Sequence, residues 1–199
     1  MRFLAAMTAI AAVTIGTDCA KRTARPLSET VVSPAAREPD TERMADWPDA
    51  NLYGTVALWA LDRHAESGIE ALNDVERTVA ALFLFHNEVN NGGFGQWLYQ
   101  TPCDLLAATR ASLEKIGARR MSAFVAPIVE QSGGDTLFRE STREAHLDSL
   151  PDRFHEALER KSIGYGQLED EFLAHVYRYV RENWKRVRRA SPSGPPDSE

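Results

Sequence analysis

The chain has 199 residues, of which 43% are hydrophobic and 26% charged, values typical of a globular protein with one ordinary-sized domain. A formal net charge of −6 argues against general nucleic-acid binding, which needs a basic face. Two cysteines, Cys19 and Cys103, cannot form a disulfide framework.

Residues 1–20 have the pattern of an export signal. Arg2 precedes an apolar run at residues 3–15, which is too short to cross roughly 30 Å of hydrocarbon as a helix. We therefore expect export, to the periplasm or to the membrane surface, if Met1 is the true start. A start near Met44 would instead leave the protein in the cytoplasm.

The end of this segment resembles the cleavage box of bacterial lipoproteins. In such a box the cysteine, here Cys19 after Gly16-Thr17-Asp18, becomes the lipidated first residue. Asp18 departs from the pattern, which prefers a small neutral residue at that position. Lipidation of Cys19 is therefore an alternative to simple export, and it would anchor the chain to a membrane.

Three further parts follow the signal segment. Residues 21–48 carry four prolines among Ser, Thr, Arg and Glu, a composition that buries too little apolar surface to fold, so we expect a disordered linker. Residues 49–189 form the predicted helical domain, and residues 190–199 a disordered tail.

Apolar residues recur at helical spacing along the domain, and Gly, Pro and Asn residues separate the runs. The predicted helices cover residues 49–66, 73–89, 94–99, 104–116, 119–131, 152–164 and 168–189. The second helix is apolar on more than one face, so we place it at the centre. A weak polar pattern at residues 136–148 predicts a connection. No stretch alternates apolar and polar residues, so the fold class is all-α, a single compact multi-helix bundle.

Residues 86–97 interrupt the helical pattern, and we call them the glycine corner. Gly92 and Gly93 free the backbone to turn sharply, and the rings of Phe94 and Trp97 clamp the turn. The sequence therefore predicts a helix end, a tight turn and a helix restart.

Polar side chains at the corner, Glu88, Asn90, Asn91 and Gln96, are the candidate ligand-binding residues. In that interpretation they surround a small polar ligand. In the alternative, which we favour, they hydrogen-bond the backbone groups that the helix break leaves without partners.

Motifs for catalysis are absent from the sequence. His86 and Glu88 are two residues apart and diverge by about 200° on a helix, and the chain has no HExxH or CxxC motif, so we expect no metal and no cofactor. Cys103 could meet His86 across the turn as nucleophile and base, but packing explains this thiol better. We therefore predict no catalytic residues and no enzymatic activity.

Charge is distributed unevenly along the chain. Residues 37–90 hold 11 acidic and 4 basic side chains, residues 130–175 hold 11 and 5, and residues 176–189 hold 1 and 6. An acidic body thus ends in a basic helix, a candidate surface for anionic phospholipid or nucleic acid. The alternative is that these cations match the helix dipole and are solvated.

Four segments together resemble a known family. They are residues 88–99, with an Asn-Gly-Gly-Phe core, and residues 111–118, 152–154 and 177–183. They look like a bacterial domain family of largely unknown function that is named after the C-terminal domain of a DNA-mimic protein. The resemblance covers about residues 72–183 and implies an all-helical, often dimeric fold without known catalytic residues. In the DNA-mimic member, acidic side chains imitate phosphates and occupy a DNA-binding protein.

Three functions are open at this point. The leading hypothesis is an exported, non-enzymatic helical interaction domain that binds a protein partner, with a lipid anchor and homodimerisation as further expectations. The second is an intracellular acidic DNA-mimic-like inhibitor of a DNA-binding protein. The third is a small-ligand binder or enzyme at Glu88, Asn90 and Gln96. We expect no direct nucleic-acid binding, and membrane contact only through the lipid anchor or the basic C-terminal helix.

Overall fold

The computed structural model describes residues 44–188, apart from the side chains at positions 135, 136 and 140. Helices account for most of these residues and no strand occurs among them, which confirms the all-α bundle. The helices are α1 (Asp49–Ser67), α2 (Asp74–Gln100), α3 (Cys103–Lys115), α4 (Arg119–Gln131), α5 (Glu140–Asp148), α6 (Asp152–Tyr165) and α7 (Glu169–Asn183). Short 3₁₀ turns lie at Met44–Asp46, Ile69–Ala71, Gly134–Phe138 and Trp184–Arg186.

The predicted signal segment with Cys19, the linker up to residue 43 and the predicted tail lie outside the described residues. Among the described helices, none combines the length and the apolar character needed to cross a membrane.

Helix α2 is the centre of the bundle, as its apolar pattern predicts. It packs against α1, α3, α6 and α7, and it buries apolar side chains on several faces. Its start is fixed by a capping box, in which the Asn73 side chain accepts from the backbone of Val75 and Glu76 while the Glu76 carboxylate accepts from the Asn73 N–H. This reciprocal cap satisfies backbone donors that a helix start leaves free.

The last helix is shorter than predicted. Helix α7 ends at Asn183, and after a 3₁₀ turn the chain leaves the helical path, so the predicted helix over residues 168–189 is wrong in its last turn. Val187 enters the core there, and Arg188 reaches the wholly buried carboxylate of Glu76. The Arg188 backbone N–H and guanidinium donate to both Glu76 oxygens, at 2.7–3.0 Å. A buried carboxylate without such donors would be costly, which explains why the chain departs from the helix.

Several cations of the predicted basic helix have partners within the chain. Arg181 donates to the Asp49 carboxylate and to the Trp47 carbonyl, and so holds the first described residues on α7. Arg186 pairs with Asp74 at 2.8 Å. Part of the positive charge on the candidate phospholipid surface is therefore balanced by the domain itself.

The predicted connection at residues 136–148 contains a helix. Residues 134–138 form a 3₁₀ turn and α5 follows, so the prediction of a simple polar connection is wrong. Among the described side chains of this stretch, only Leu137 and Leu147 are fully buried, which is too few to produce a visible helical period. Arg143 of α5 donates to the carbonyls of Tyr99 and Thr101, the last acceptors of α2, and this polar contact anchors the segment.

Replacing Arg188 with Gln should lower the free energy of unfolding clearly more than breaking an exposed ion pair does, because it removes charged donors from a buried carboxylate. Burial alone would raise the pKa of Glu76, but hydrogen bonds from Arg188 and from the Asn73 N–H hold that pKa below its ordinary value. Urea denaturation measures the change.

The matched control is Arg160→Gln, which breaks an exposed pair with Glu156 one helical turn away. Exposed pairs contribute little, so its effect should stay below about 1 kcal/mol. Equal effects of the two substitutions would show that the Glu76–Arg188 contact does not stabilise the fold.

Candidate functional site

The glycine corner is a sharp kink within α2. Gly92 has φ −151° and ψ 20°, and Gly93 has φ 75° and ψ −171°, so both leave the helical region and the helix resumes immediately afterwards. A φ of 75° is adopted readily by glycine and at a cost by other residues. The predicted helix end, turn and restart are confirmed in the geometry of these two residues.

Ser162 of α6 packs directly against the kink. A Cβ built on Gly93 would lie 2.4 Å from the Ser162 Oγ, so position 93 has no room for a side chain. The Phe94 N–H donates to the same Oγ at 2.9 Å, and that hydroxyl donates onward to the Leu158 carbonyl at 2.9 Å. A serine from another helix therefore satisfies the backbone donor that the break releases. The expectation that Glu88, Asn90, Asn91 and Gln96 satisfy the released backbone groups is wrong for the Phe94 N–H.

Aromatic rings from three helices pack on the inner side of the corner. Phe85 is their centre, with ring centroids 5.3 Å from Trp97, 5.8 Å from Tyr165 and 5.6 Å from Phe172. Phe94 lies 6.2 Å from Phe85 and, like Trp97, has no exposed surface. We call these five residues the aromatic cluster. Edge-to-face pairs of this kind contribute roughly 0.5–1.5 kcal/mol each beyond area burial, so the cluster joins both halves of α2 to α6 and α7.

The four candidate ligand residues fall into separate groups. Gln96 donates to Glu88 at 2.6 Å, across the kink. Asn90 donates to Glu169 of α7 at 2.8 Å, and Asn91 is exposed. Three of these side chains thus bond other side chains rather than the backbone, and in doing so they support the bend from both sides.

A second polar group lies one turn before the kink. The Tyr165 hydroxyl is 2.7 Å from the His86 Nδ1, and the Asn90 amide nitrogen is 3.2 Å from the same atom. The Glu169 carboxylate lies 3.7 Å from the His86 Nδ1. We call His86, Asn90, Tyr165 and Glu169 the histidine cluster. It ties α2 to the junction between α6 and α7.

Burial controls ionisation in the histidine cluster. It lowers the pKa of His86, and the Glu169 charge offsets only part of that effect. Burial and the same carboxylate raise the pKa of Tyr165. Both rings are therefore neutral near pH 7, and the tyrosine keeps its proton.

Sequence reasoning missed Ser162, Tyr165 and Glu169. Their partners on α2 lie 68 to 79 residues earlier in the chain, and no local pattern links the two regions. The four-residue spacing of His86 and Asn90 was the one available signal, since it places both side chains on one face of α2. Tyr165 and Glu169 have the same spacing but lie on different helices.

The candidate catalytic pair does not form. The buried Cys103 thiol donates to the Leu137 carbonyl at 3.4 Å, whereas His86 bonds within the histidine cluster. Within residues 44–188, no three His, Cys, Asp or Glu side chains lie close enough together to hold a metal ion.

A cavity of about 260 Å³ lies between α3, α4 and the 3₁₀ turn after α4. Its lining includes Trp97, which has no exposed surface and whose buried Nε1 has no hydrogen-bond partner in the described residues. Arg110, which pairs with Glu114 at 3.4 Å, and Glu130 also line the cavity. None of the candidate ligand residues lines this cavity.

A family model described as DMP19-like protein matches residues 70–183. The chain belongs to the DMP19-like protein family. The chain matches no curated protein and no solved structure.

The matched region contains the corner, the aromatic cluster and the histidine cluster. Membership supports a helical DNA-mimic-like domain of unknown function, which confirms the resemblance at the level of the family. Helix α1 and the Val187–Arg188 segment lie outside the match.

Replacing Gly93 with Ala should destabilise the fold by about 1–3 kcal/mol, because the new Cβ meets Ser162 and the backbone stays at positive φ. Gly95→Ala is the matched control, since nothing lies within 4 Å of its built Cβ and it sits in the resumed helix. Alanine there should stabilise by roughly 0.5–1 kcal/mol. Thermal unfolding that ranks the two variants in the opposite order would contradict this account of the kink.

Replacing Ser162 with Ala should also destabilise, by about 1–3 kcal/mol, because the Phe94 N–H then lacks its acceptor. Since the Ser162 Oγ is the atom nearest to a Cβ at position 93, the two substitutions should be coupled. The Gly93→Ala/Ser162→Ala double variant should lose less stability than the sum of the single variants. Strict additivity in urea denaturation would show that the hydroxyl does not contact the kink.

Proposed function

We propose that this domain is a non-enzymatic interaction module that binds a basic surface of a protein partner through carboxylates on α1. Asp62 and Glu66 carry the proposal. Both are exposed one helical turn apart, and neither forms an ion pair within the described residues. Partial burial and the Glu66 charge raise the pKa of Asp62.

Uncompensated like charges at this spacing destabilise a helix by roughly 0.2–0.5 kcal/mol. A partner that supplies Lys or Arg would remove this repulsion and gain Coulomb attraction at once. Leu58, one turn before Asp62, is 53% exposed and offers an apolar contact beside the charges. Charge and apolar surface together are the usual composition of a protein-binding patch.

The internal contacts of several arginines also favour a basic partner. Arg143 caps the end of α2, Arg186 pairs with Asp74, and Arg188 pairs with Glu76. Residues 44–188 hold 22 acidic and 16 basic side chains, so the described domain and its surface carry a net negative charge. Such a surface attracts basic proteins over several ångströms and repels nucleic acid.

The corner has a structural role in this proposal. Its glycines, rings and amides hold α2, α6 and α7 together, and we assign no catalytic residue to it. We also propose, from the sequence of residues 1–20, that the domain acts outside the cytoplasm, with Cys19 as a candidate lipid anchor.

The Asp62→Asn/Glu66→Gln variant should bind the partner about tenfold more weakly, a loss of roughly 1.4 kcal/mol. The partner is the protein cross-linked to the native full-length chain, purified and titrated calorimetrically at low and high salt. Wild-type affinity should fall with salt, and the variant should lose most of that dependence.

Asp152→Asn/Glu159→Gln is the control, because it removes the same charge from exposed positions on α6. It should leave the affinity nearly unchanged. Equal losses in both variants would reduce the effect to net charge, and no loss in either would refute the α1 surface.

Family membership favours a second candidate, an acidic DNA-mimic-like inhibitor of a DNA-binding protein inside the cell. The first residue of the native protein separates the two. A start near Met44 supports the inhibitor, and such a protein should displace its target from labelled duplex DNA. A native chain that lacks residues 1–18 excludes it and supports the exported module.

A further inference from the structure

The histidine cluster joins three helices through one imidazole ring and one amide. His86 and Asn90 lie on α2 just before the kink, Tyr165 is the last residue of α6, and Glu169 is the first residue of α7. We propose that this cluster is an acid-sensitive contact: protonation of His86 loosens the α6–α7 junction from the glycine corner. This regulation is independent of the α1 surface.

The hydrogen-bond donors around His86 select its neutral form. The Asn90 amide nitrogen faces a Glu169 oxygen at 2.8 Å, and a carboxylate oxygen requires a donor there, so the orientation of the amide is fixed. The same nitrogen lies 3.2 Å from the His86 Nδ1 and 3.4 Å from Nε2, and the Tyr165 hydroxyl lies 2.7 Å from Nδ1. The hydroxyl, which keeps its proton, donates to Nδ1 of the neutral ring, whose own proton is then on Nε2.

A proton on Nδ1 would disrupt this arrangement. The new N–H would face the Asn90 N–H and would force the Tyr165 hydroxyl to turn and accept. The ring also packs against Phe172 at 6.0 Å and Tyr165 at 6.4 Å between centroids, in surroundings that solvate a cation poorly. This rearrangement would disturb the position of the Tyr165 ring, which lies 5.8 Å from Phe85 and 6.2 Å from Phe94.

Glu169 is the one group in the cluster whose charge would stabilise protonated His86. Within the described residues, the titratable groups at bonding or ion-pair distance from His86 are Tyr165 on α6 and Glu169 on α7. The tyrosine stays neutral, so only Glu169, 3.7 Å from Nδ1, attracts the imidazolium. Burial outweighs that attraction, because the pKa of His86 lies below its ordinary value.

Acidification should lower the free energy of unfolding through the protonation of His86. In the unfolded chain His86 takes up a proton near its ordinary pKa of 6.5, whereas in the folded domain it does so only at lower pH. The free energy of unfolding should therefore fall as the pH drops below about 6.5, until the folded pKa is reached. Above that range both states are neutral at His86, and the contribution is constant.

The test compares wild type with His86→Gln between about pH 5 and pH 8. Glutamine keeps a polar side chain but cannot be protonated. In wild type, hydrogen-exchange protection of residues 158–172, corrected for intrinsic rates, should fall on acidification. That pH dependence should be lost in His86→Gln. The control His155→Gln, on α6 and outside the cluster, should keep the wild-type profile.

The ring titration of His86 in the wild-type chain gives a second readout that needs no substitution. NMR should show Nδ1 as the unprotonated nitrogen near pH 7 and a pKa below 6.5. An ordinary or raised pKa would overturn the proposal, even if His86→Gln does not fold. So would acid-induced loss of protection that persists unchanged in a folded His86→Gln variant.

Discussion

When a helix bends inside the protein core, the backbone groups that lose their helical hydrogen bonds need new partners. In α2 this constraint is met by Ser162, whose hydroxyl accepts from the Phe94 N–H at 2.9 Å beside a glycine at φ 75°. The bend then turns Phe94 and Trp97 onto Phe85, so that both halves of one helix share one set of rings. Because α6 supplies the serine and α6 and α7 supply further rings, the position of these helices depends on the bend.

A buried polar group at the other end of α2 also takes its partner from a distant part of the chain. Glu76 completes the cap of the helix and is wholly buried, so it needs charged donors from outside its own helix. Arg188 provides them after the chain leaves α7. Polar groups on the central helix thus select where the later parts of the chain dock, while apolar packing supplies most of the stability.

Much of this architecture could be predicted from local sequence. The apolar faces of α2, the cap at Asn73, the glycine turn and most helix bounds follow from patterns within a few residues of one another. The missed features have another origin. The contacts of Ser162, Tyr165 and Arg188 span 68 to 112 residues, and α5 is held by two leucines and an arginine rather than by a periodic stripe. Such partners are chosen by tertiary packing, which periodicity does not encode.

Polar side chains at the corner and on α1 differ in whether they have partners within the domain, and this difference bears on function. Side chains of the corner that could have bound a ligand are engaged with one another or with α7, and several arginines are engaged with carboxylates or carbonyls. Asp62 and Glu66 on α1 form no ion pair within the described residues. We therefore propose that recognition takes place on the outer surface, whereas the corner stabilises the architecture.

The most direct test of the central claim is the exchange rate of one amide. If the Phe94 N–H is bonded to Ser162 within the closed corner, it should exchange with solvent only through global unfolding, with the same free energy as the amides of buried α2 residues such as Leu82. Exchange of the Phe94 amide as fast as that of an exposed loop would show that the corner is open, and would contradict its role as the contact on which the bundle depends.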